Sequence, residues 1–446
     1  MEADAELSSQ TVTEYGTHVV LHAFRTLPEF RRLLELRAVS QFSDGMFQAG
    51  LAGALLFNPE RAVSPLQIAG AFAVSFLPYS LLGPFAGALL DRWDRRSVLI
   101  GANTVRVLAM VGIGLLLITG ARDLPILIGA LVVNGFTRFV ASGLSAALPH
   151  VVPADEVITL NSASTAVGAV AAFGGFSCTL LLQPLLHSLL TGGDTGGGAI
   201  IELAAAAVLV ALWLSIRIRP RMLGPDESDE HEPVARVVLT GWRDGLSAVV
   251  HTPTVAATLC ALASHRMIAG LNSLVVLMVA KHSQQVHLGQ MGLAAVFMGS
   301  AGIGTFIANL VTPAAIRRWG RYRTVTGALL AAALCQAGFA LLTLPVMLSC
   351  GLLIGLFGQV VKLCADSAMQ LDVDDALRGH VFAVQDSLFW VTFIGAITLS
   401  ALVIPADGRA PGLILCGAVI YLLGLAAHNA ILRGRAQRVA VSDTPA

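Results

Sequence analysis

Several ionisable side chains stand where the surrounding sequence offers no water. Asp44, Arg106, Arg138, His265, Arg266, Lys362, Asp366 and Asp386 all lie within long apolar runs. A charge in such a run is costly unless it pairs or meets water, so each is a candidate for handling protons, ions or substrate. Asp44 interrupts its run as Ser43-Asp44-Gly45 and reads as an interhelical hydrogen-bonding group or as a proton or substrate site. Arg138 stands mid-run and reads as functional. Arg106 lies nearer a run's end and reads as a side chain that snorkels or pairs within its own half. His265 and Arg266, followed by Gly270, Leu271 and Asn272, are candidates for a cavity wall or for proton coupling. Lys362 and Asp366 are four apart, share a helical face and read as a structural pair. Asp386 fits a gate contact or a bond within a bundle.

Other chemistry lacks its residues. There is no His-Glu-x-x-His helix, no Gly-x-Ser-x-Gly turn and no Gly-x4-Gly-Lys-Ser/Thr loop. Neither an intramembrane enzyme nor an ATP-driven pump is expected, and no metal or cofactor. The six cysteines lie in apolar runs without a Cys-x-x-Cys pair and read as small core hydrophobes. Basic and acidic residues balance at 28 each, which gives no reason to expect a nucleic-acid partner.

The elements that position the charges follow from composition. Of 446 residues 55% are hydrophobic and 13% charged, against about a quarter charged in soluble domains. A membrane helix needs about 20 apolar residues. Candidate spans fall at 37–58, 65–90, 97–118, 124–148, 159–186 and 198–216, then at 252–280, 290–315, 324–343, 345–366, 380–404 and 411–432. The expected fold is an all-α membrane protein, its twelve transmembrane helices forming two pseudo-symmetric six-helix bundles. An N-terminal arm (1–36) precedes the first bundle (37–216), a central linker (217–251) leads to the second (252–432), and a tail (433–446) follows.

With the N-terminus inside, inner segments hold twenty basic residues and outer segments four. That asymmetry predicts cytoplasmic termini. No signal-peptide pattern opens the chain. Within the linker, 225–233 is acidic and proline-flanked and reads as mobile. Val234 to Val250 has helical apolar spacing and suits the inner surface. Gly192 to Gly198 reads as a flexible outer loop.

A charged knot follows the second span: Gly87-Ala88-Leu89-Leu90-Asp91-Arg92-Trp93-Asp94-Arg95-Arg96. Arg92, Trp93, Arg95 and Gly101 recur 226 positions later as Arg318, Trp319, Arg321 and Gly327. Such an echo argues for a duplicated bundle.

The knot resembles the loop between helices two and three of the major facilitator superfamily, Gly-x3-Asp-Arg-x-Gly-Arg-Arg/Lys. Gly87, Asp91, Arg92, Arg95 and Arg96 match it, and Asp94 replaces the second glycine. The resemblance implies that Asp91 gates by docking on the opposing half near the start of the eleventh span. Phe30-Arg31-Arg32-Leu33-Leu34 with Ser43 to Phe47, and Arg378-Gly379-His380-Val381-Phe382-Ala383, look like the drug- and siderophore-exporter branches. Arg138 is placed like the family's buried arginine, which is linked to proton coupling. Gly168, Gly174 and Gly175 match half of the helix-five antiporter motif.

The resemblance implies a monomeric secondary transporter of the plasma membrane that works by alternating access. Few cavity charges are available, so the expected substrate is a small amphipathic or hydrophobic compound, exported in exchange for protons. A lipid or lysolipid transporter of the same fold and a non-transporting scaffold are the alternatives. For coupling, the expectation is that Asp44 approaches Arg138 in only one orientation, so that proton affinity follows conformation. His265 is the next candidate.

Overall fold

The structure is a computed structural model. It describes residues 20–55, 64–90, 92–153, 156–189, 195–224, 234–282, 289–405 and 407–442. In chain order the helices are α1 (Pro28–Leu55), α2 (Pro65–Leu90), α3 (Arg95–Ile118), α4 (Asp123–Ala147), α5 (Val157–Leu189) and α6 (Thr195–Arg217). Next come α7 (Val234–His251), α8 (Pro253–His282), α9 (Gly289–Trp319) and α10 (Arg321–Phe339). The last three are α11 (Leu344–Asp372), α12 (Asp375–Ala401) and α13 (Pro411–Ser442). Leaving out α7 and the short helix at 20–26, twelve α-helices among the described residues stand at the twelve expected places.

Nine helices among the described residues are long and apolar enough to cross a membrane. They carry large apolar side chains outward: Leu108, Phe173, Leu181, Phe306 and Leu310 are all about two-thirds exposed or more. Water would penalise that surface, and lipid does not. α1 begins well before its apolar run. Arg31, Arg32 and Glu35 face outward and pair locally, Arg31 with Glu35 and Arg32 with the largely buried Glu29, while Phe30, Leu33 and Leu36 are fully buried.

The chain forms two compact units. One comprises Met1–Arg61 and Leu82–Val234, the other Ala62–Leu81 and Ala235–Ala446. The first has a core around Phe30, Leu33, Leu99, Leu144 and Leu160. The second is built around Leu259, Leu262, Leu329, Cys364 and Tyr421.

Glycines set how closely helices cross. A Cβ on Gly45 of α1 would run into the Ala172 carbonyl of α5, and one on Gly175 into the Phe42 carbonyl of α1. Gly270 of α8 meets the Phe393 carbonyl of α12 in the same way. Gly45 and Gly270 lie 225 positions apart, one short of the 226-residue offset between the two charged turns. Gly175 therefore serves backbone contact, whatever else its motif implies.

One sequence expectation changes and another holds. Gly196, Gly197 and Gly198 belong to the first turn of α6 and not to a loop. Only there can α6 approach Ala54 of α1 and the Gly114 carbonyl of α3. Val234–His251 is a helix, as its spacing predicted. Its Gly241 and Gly245 sit against His380 at the start of α12. The acidic 225–233 stretch lies outside the described residues.

Candidate functional site

Asp44 lies past the middle of α1 and points into the first unit's core. Arg106 of α3 donates from Nη2 to its Oδ1, and Thr137 of α4 donates to the same oxygen at 3.2 Å. Arg106 Nη1 also donates to Ser40 Oγ and Asn103 Oδ1, each at 2.9 Å. Arg106 is 0% exposed, so it pairs within its half and does not snorkel. Asn103 passes the network to Ser215 of α6 at 3.2 Å. One turn further along α1, Gln48 donates to Asn134 of α4 at 2.7 Å. Three helices thus converge on one carboxylate.

Arg138 follows Thr137 on α4, is half-buried and has a contact of its own. The described partners of Asp44 are Arg106 and Thr137, not the arginine expected from sequence. Spacing along α4 places residues 137 and 138 about 100° apart, so only one of them faces a given neighbour. Sequence reasoning also passed over Glu202 of α6. Its Oε1 is buried beside Gly114 and has no hydrogen-bond partner. An acid two turns into an apolar helix was the available signal.

In the knot, Asp91 lies outside the described residues, Gly87 falls within α2, and Arg92 is half-buried. Asp94 caps α3, accepting from the Ser97 amide at 3.0 Å and its hydroxyl at 2.6 Å. Aspartate serves well at an N-cap, and the φ of −53° there needs no glycine. That accounts for the departure from the motif. In the second repeat the same position is Gly320 with φ 78°, where glycine is required.

Arg95 is buried and works as a staple. It donates to the carbonyls of Leu90 at 3.2 Å, Ala146 at 3.0 Å and Leu223 at 3.1 Å, and its Nη1 lies 3.2 Å from His150 Nδ1. Arg96 donates to Ile218 and Ile216 carbonyls at 2.6 and 2.9 Å. Cations suit helix C-terminal carbonyls, which carry the negative dipole end. The ends of α2, α4 and α6 are tied to the start of α3 by two side chains.

The repeat reproduces this tie. Arg321 donates to Asp372, and residues 321 and 372 stand 226 positions beyond 95 and 146. Burial opposes the charge on Arg321. Its bonds to Asp372 and Tyr322 outweigh that cost and leave its pKa above the ordinary arginine value.

In the second unit, His265 and Arg266 point in different directions. His265 is buried, with Nδ1 2.8 Å from the Tyr421 hydroxyl of α13 and its ring against Gly358 of α11. Arg266 places its guanidinium 3.4 Å from the centre of the Phe389 ring on α12. Asn272 and Gln336 exchange amide bonds at 2.8 and 2.9 Å. Lys362 Nζ lies 2.6 Å from Asp366 Oδ2, and Gln385 of α12 donates to the other carboxylate oxygen at 3.1 Å. Asp386 is exposed and has a contact of its own. A separate open groove of about 370 Å³ runs between α3 and α4, lined by Trp93, Val98, Gly101, Phe136 and Phe139.

Residues 37–398 match the Major Facilitator Superfamily. The chain belongs to that family. An uncharacterised MFS-type transporter of Mycobacterium tuberculosis is 58% identical over 416 residues, 93% of each chain. Macrolide efflux protein A of Streptococcus pyogenes is 24% identical over 178 residues, 39% of this chain and 43% of that one. Among solved structures, a bacterial homologue of the iron transporter ferroportin in its inward-facing state aligns with a TM-score of 0.67 and 15% identity. It covers 91% of this chain and 99% of its own. The nucleoside transporter NupG aligns at 0.66 and 11%, over 91% and 99%.

As a major facilitator superfamily member, the chain is a multi-pass membrane transporter. Three of its polar places bear most on function: the Asp44–Arg106 network, the Arg95–Arg96 staple, and the Arg266 aromatic contact. The first can hold or release a proton, the second fixes a turn, and the third presents a positive charge.

Proposed function

We propose that this transporter exports small amphipathic compounds across the plasma membrane by alternating access, in exchange for protons. The observation that carries the reading is Asp44, a carboxylate held by Arg106 in the interior of an apolar helix unit. Such a group is costly to keep and marks a proton or ion path by default. Opening that site to water and closing it again would change the proton affinity of the acid, and a substrate that favours one orientation would couple to it. Arg138, adjacent to the Thr137 that also bonds Asp44, stands where a proton-dependent rearrangement would be felt. His265, tied to Tyr421, holds α8, α11 and α13 together in this reading. The similarity to macrolide efflux protein A supports the outward direction.

In the same reading both termini are cytoplasmic and the working unit is a monomer. Asp91 gates the inner mouth, and Arg95 and Arg96 tie down the start of α3 that follows it in sequence. The test is flux. Purified protein in proteoliposomes should move a fluorescent amphipathic probe against its gradient when a proton gradient is imposed. A protonophore should abolish that movement. Absence of any probe-dependent flux would leave the scaffold alternative.

A further inference from the structure

Arg266 is a cation near the middle of α8 without an anion to hold it. Arg106, Lys362 and Arg321 each have a carboxylate partner: Asp44, Asp366 and Asp372. Among the described residues no acid pairs with Arg266 and no acceptor meets its guanidinium, and its Nε is buried without a partner. Asp386, one turn before Phe389 on α12, is engaged in another contact. Phe389 offers only its ring face to Arg266. A ring face attracts the positive charge but leaves the in-plane N–H donors unfilled.

Phe389 belongs to an aromatic cluster within the second unit. Phe389 meets Trp390 edge-on at 4.9 Å, Trp390 stacks on Phe76 at 4.5 Å and 9°, and Phe393 meets Phe76 edge-on at 5.7 Å. Phe72 continues the surface, 5.9 Å from Phe76. Phe76, Phe389 and Trp390 are each only partly buried. Sequence spacing gives the same grouping: Phe72 and Phe76 are four apart on α2, and Phe389 and Phe393 four apart on α12.

We propose that Arg266 and this cluster form a subsite for amphipathic aromatic anions, meaning planar apolar rings that bear a carboxylate or sulfonate. The guanidinium supplies two parallel N–H donors, the geometry that an oxyanion accepts. The rings supply the platform for the apolar body. The inference rests on the reading of the chain as a transporter of amphipathic compounds and narrows that class to anions.

The test is calorimetric binding to the purified transporter with three matched probes: naphthalene-2-sulfonate, neutral naphthalene-2-sulfonamide and cationic 2-naphthylmethylammonium. The wild type should bind the sulfonate about tenfold tighter than the sulfonamide, the effect of one charge-assisted hydrogen bond, and the ammonium most weakly. Arg266→Gln should lose that preference while keeping its sulfonamide affinity. Arg266→Lys, which retains the charge but not the paired donors, should keep only part of it. Phe389→Leu should weaken all three. A wild type without preference for the sulfonate overturns the subsite, as does a preference that survives in Arg266→Gln. Sulfonate binding without flux would count against export and leave the subsite standing. Flux of the other probes without sulfonate preference would remove the subsite and leave export standing.

Discussion

Arg106 of α3 reaches Asp44 of α1 inside the first helix unit and spends its other terminal nitrogen on Ser40 and Asn103. The arginine is completely buried and the acid nearly so. Breaking such a pair from one side leaves an uncompensated charge and costs roughly 3–5 kcal/mol. Arg106→Ala should therefore lower the thermal midpoint in detergent strongly. Adding Asp44→Asn to it should recover a large part of the loss, because the orphaned carboxylate is gone. A double variant no more stable than Arg106→Ala would mean that the two residues are not coupled.

The α1–α5 crossing gives a sharper stability test. Gly45→Ala and Gly175→Ala each drive a methyl group into a backbone carbonyl, which cannot swing away. Overpacking of this kind costs about 1–3 kcal/mol or more. Gly174→Ala, next in sequence, meets only the edge of Phe42 at 3.8 Å and should be nearly silent. Expression and melting point of the three variants should split two against one. Equal behaviour would show that the helices separate easily.

Much of this was legible in the chain. The twelve helices follow from apolar run length, and the Arg95 and Arg321 echo survives as matching ties to positions 146 and 372. The Lys362–Asp366 pair needed only helical spacing, since both partners are on one helix. Partners on different helices were not legible. Asp44 on α1 meets Arg106 on α3, and helix rotation, which no local pattern records, decides which cation faces the acid. Gly196 to Gly198 read as a loop because glycine usually breaks helices, yet close packing against α1 and α3 requires it there.

Arg95 is expected to matter more than its neighbour in the knot. Arg95→Ala removes donors to three carbonyls from different segments. A hydrogen bond with a charged donor contributes about 1.5–3 kcal/mol, and the bonds are not additive. Arg95→Ala should lose at least one such increment and raise protease sensitivity at the ends of α2, α4 and α6. Arg92→Ala should stay within about 0.5 kcal/mol of wild type. Parallel limited proteolysis and melting curves would compare them. A destabilised Arg92→Ala with a normal Arg95→Ala would reverse the assignment.

Orientation is testable without transport. In a cysteine-free background, Glu230→Cys should resist an impermeant maleimide in sealed cells and react after permeabilisation. That pattern follows from twenty inner against four outer basic residues. Labelling in sealed cells would invert the topology, and the proposed direction of export with it.

The coupling claim depends on the proton that Asp44 can carry. The most direct measurement compares wild type and Asp44→Asn in proteoliposomes, reading downhill exchange and proton-driven uphill movement of the same amphipathic probe. Asparagine keeps the acceptor for Thr137 but cannot change charge. The account predicts that Asp44→Asn still exchanges the probe downhill and no longer concentrates it under an imposed proton gradient. Uphill transport by Asp44→Asn at the wild-type rate would contradict it.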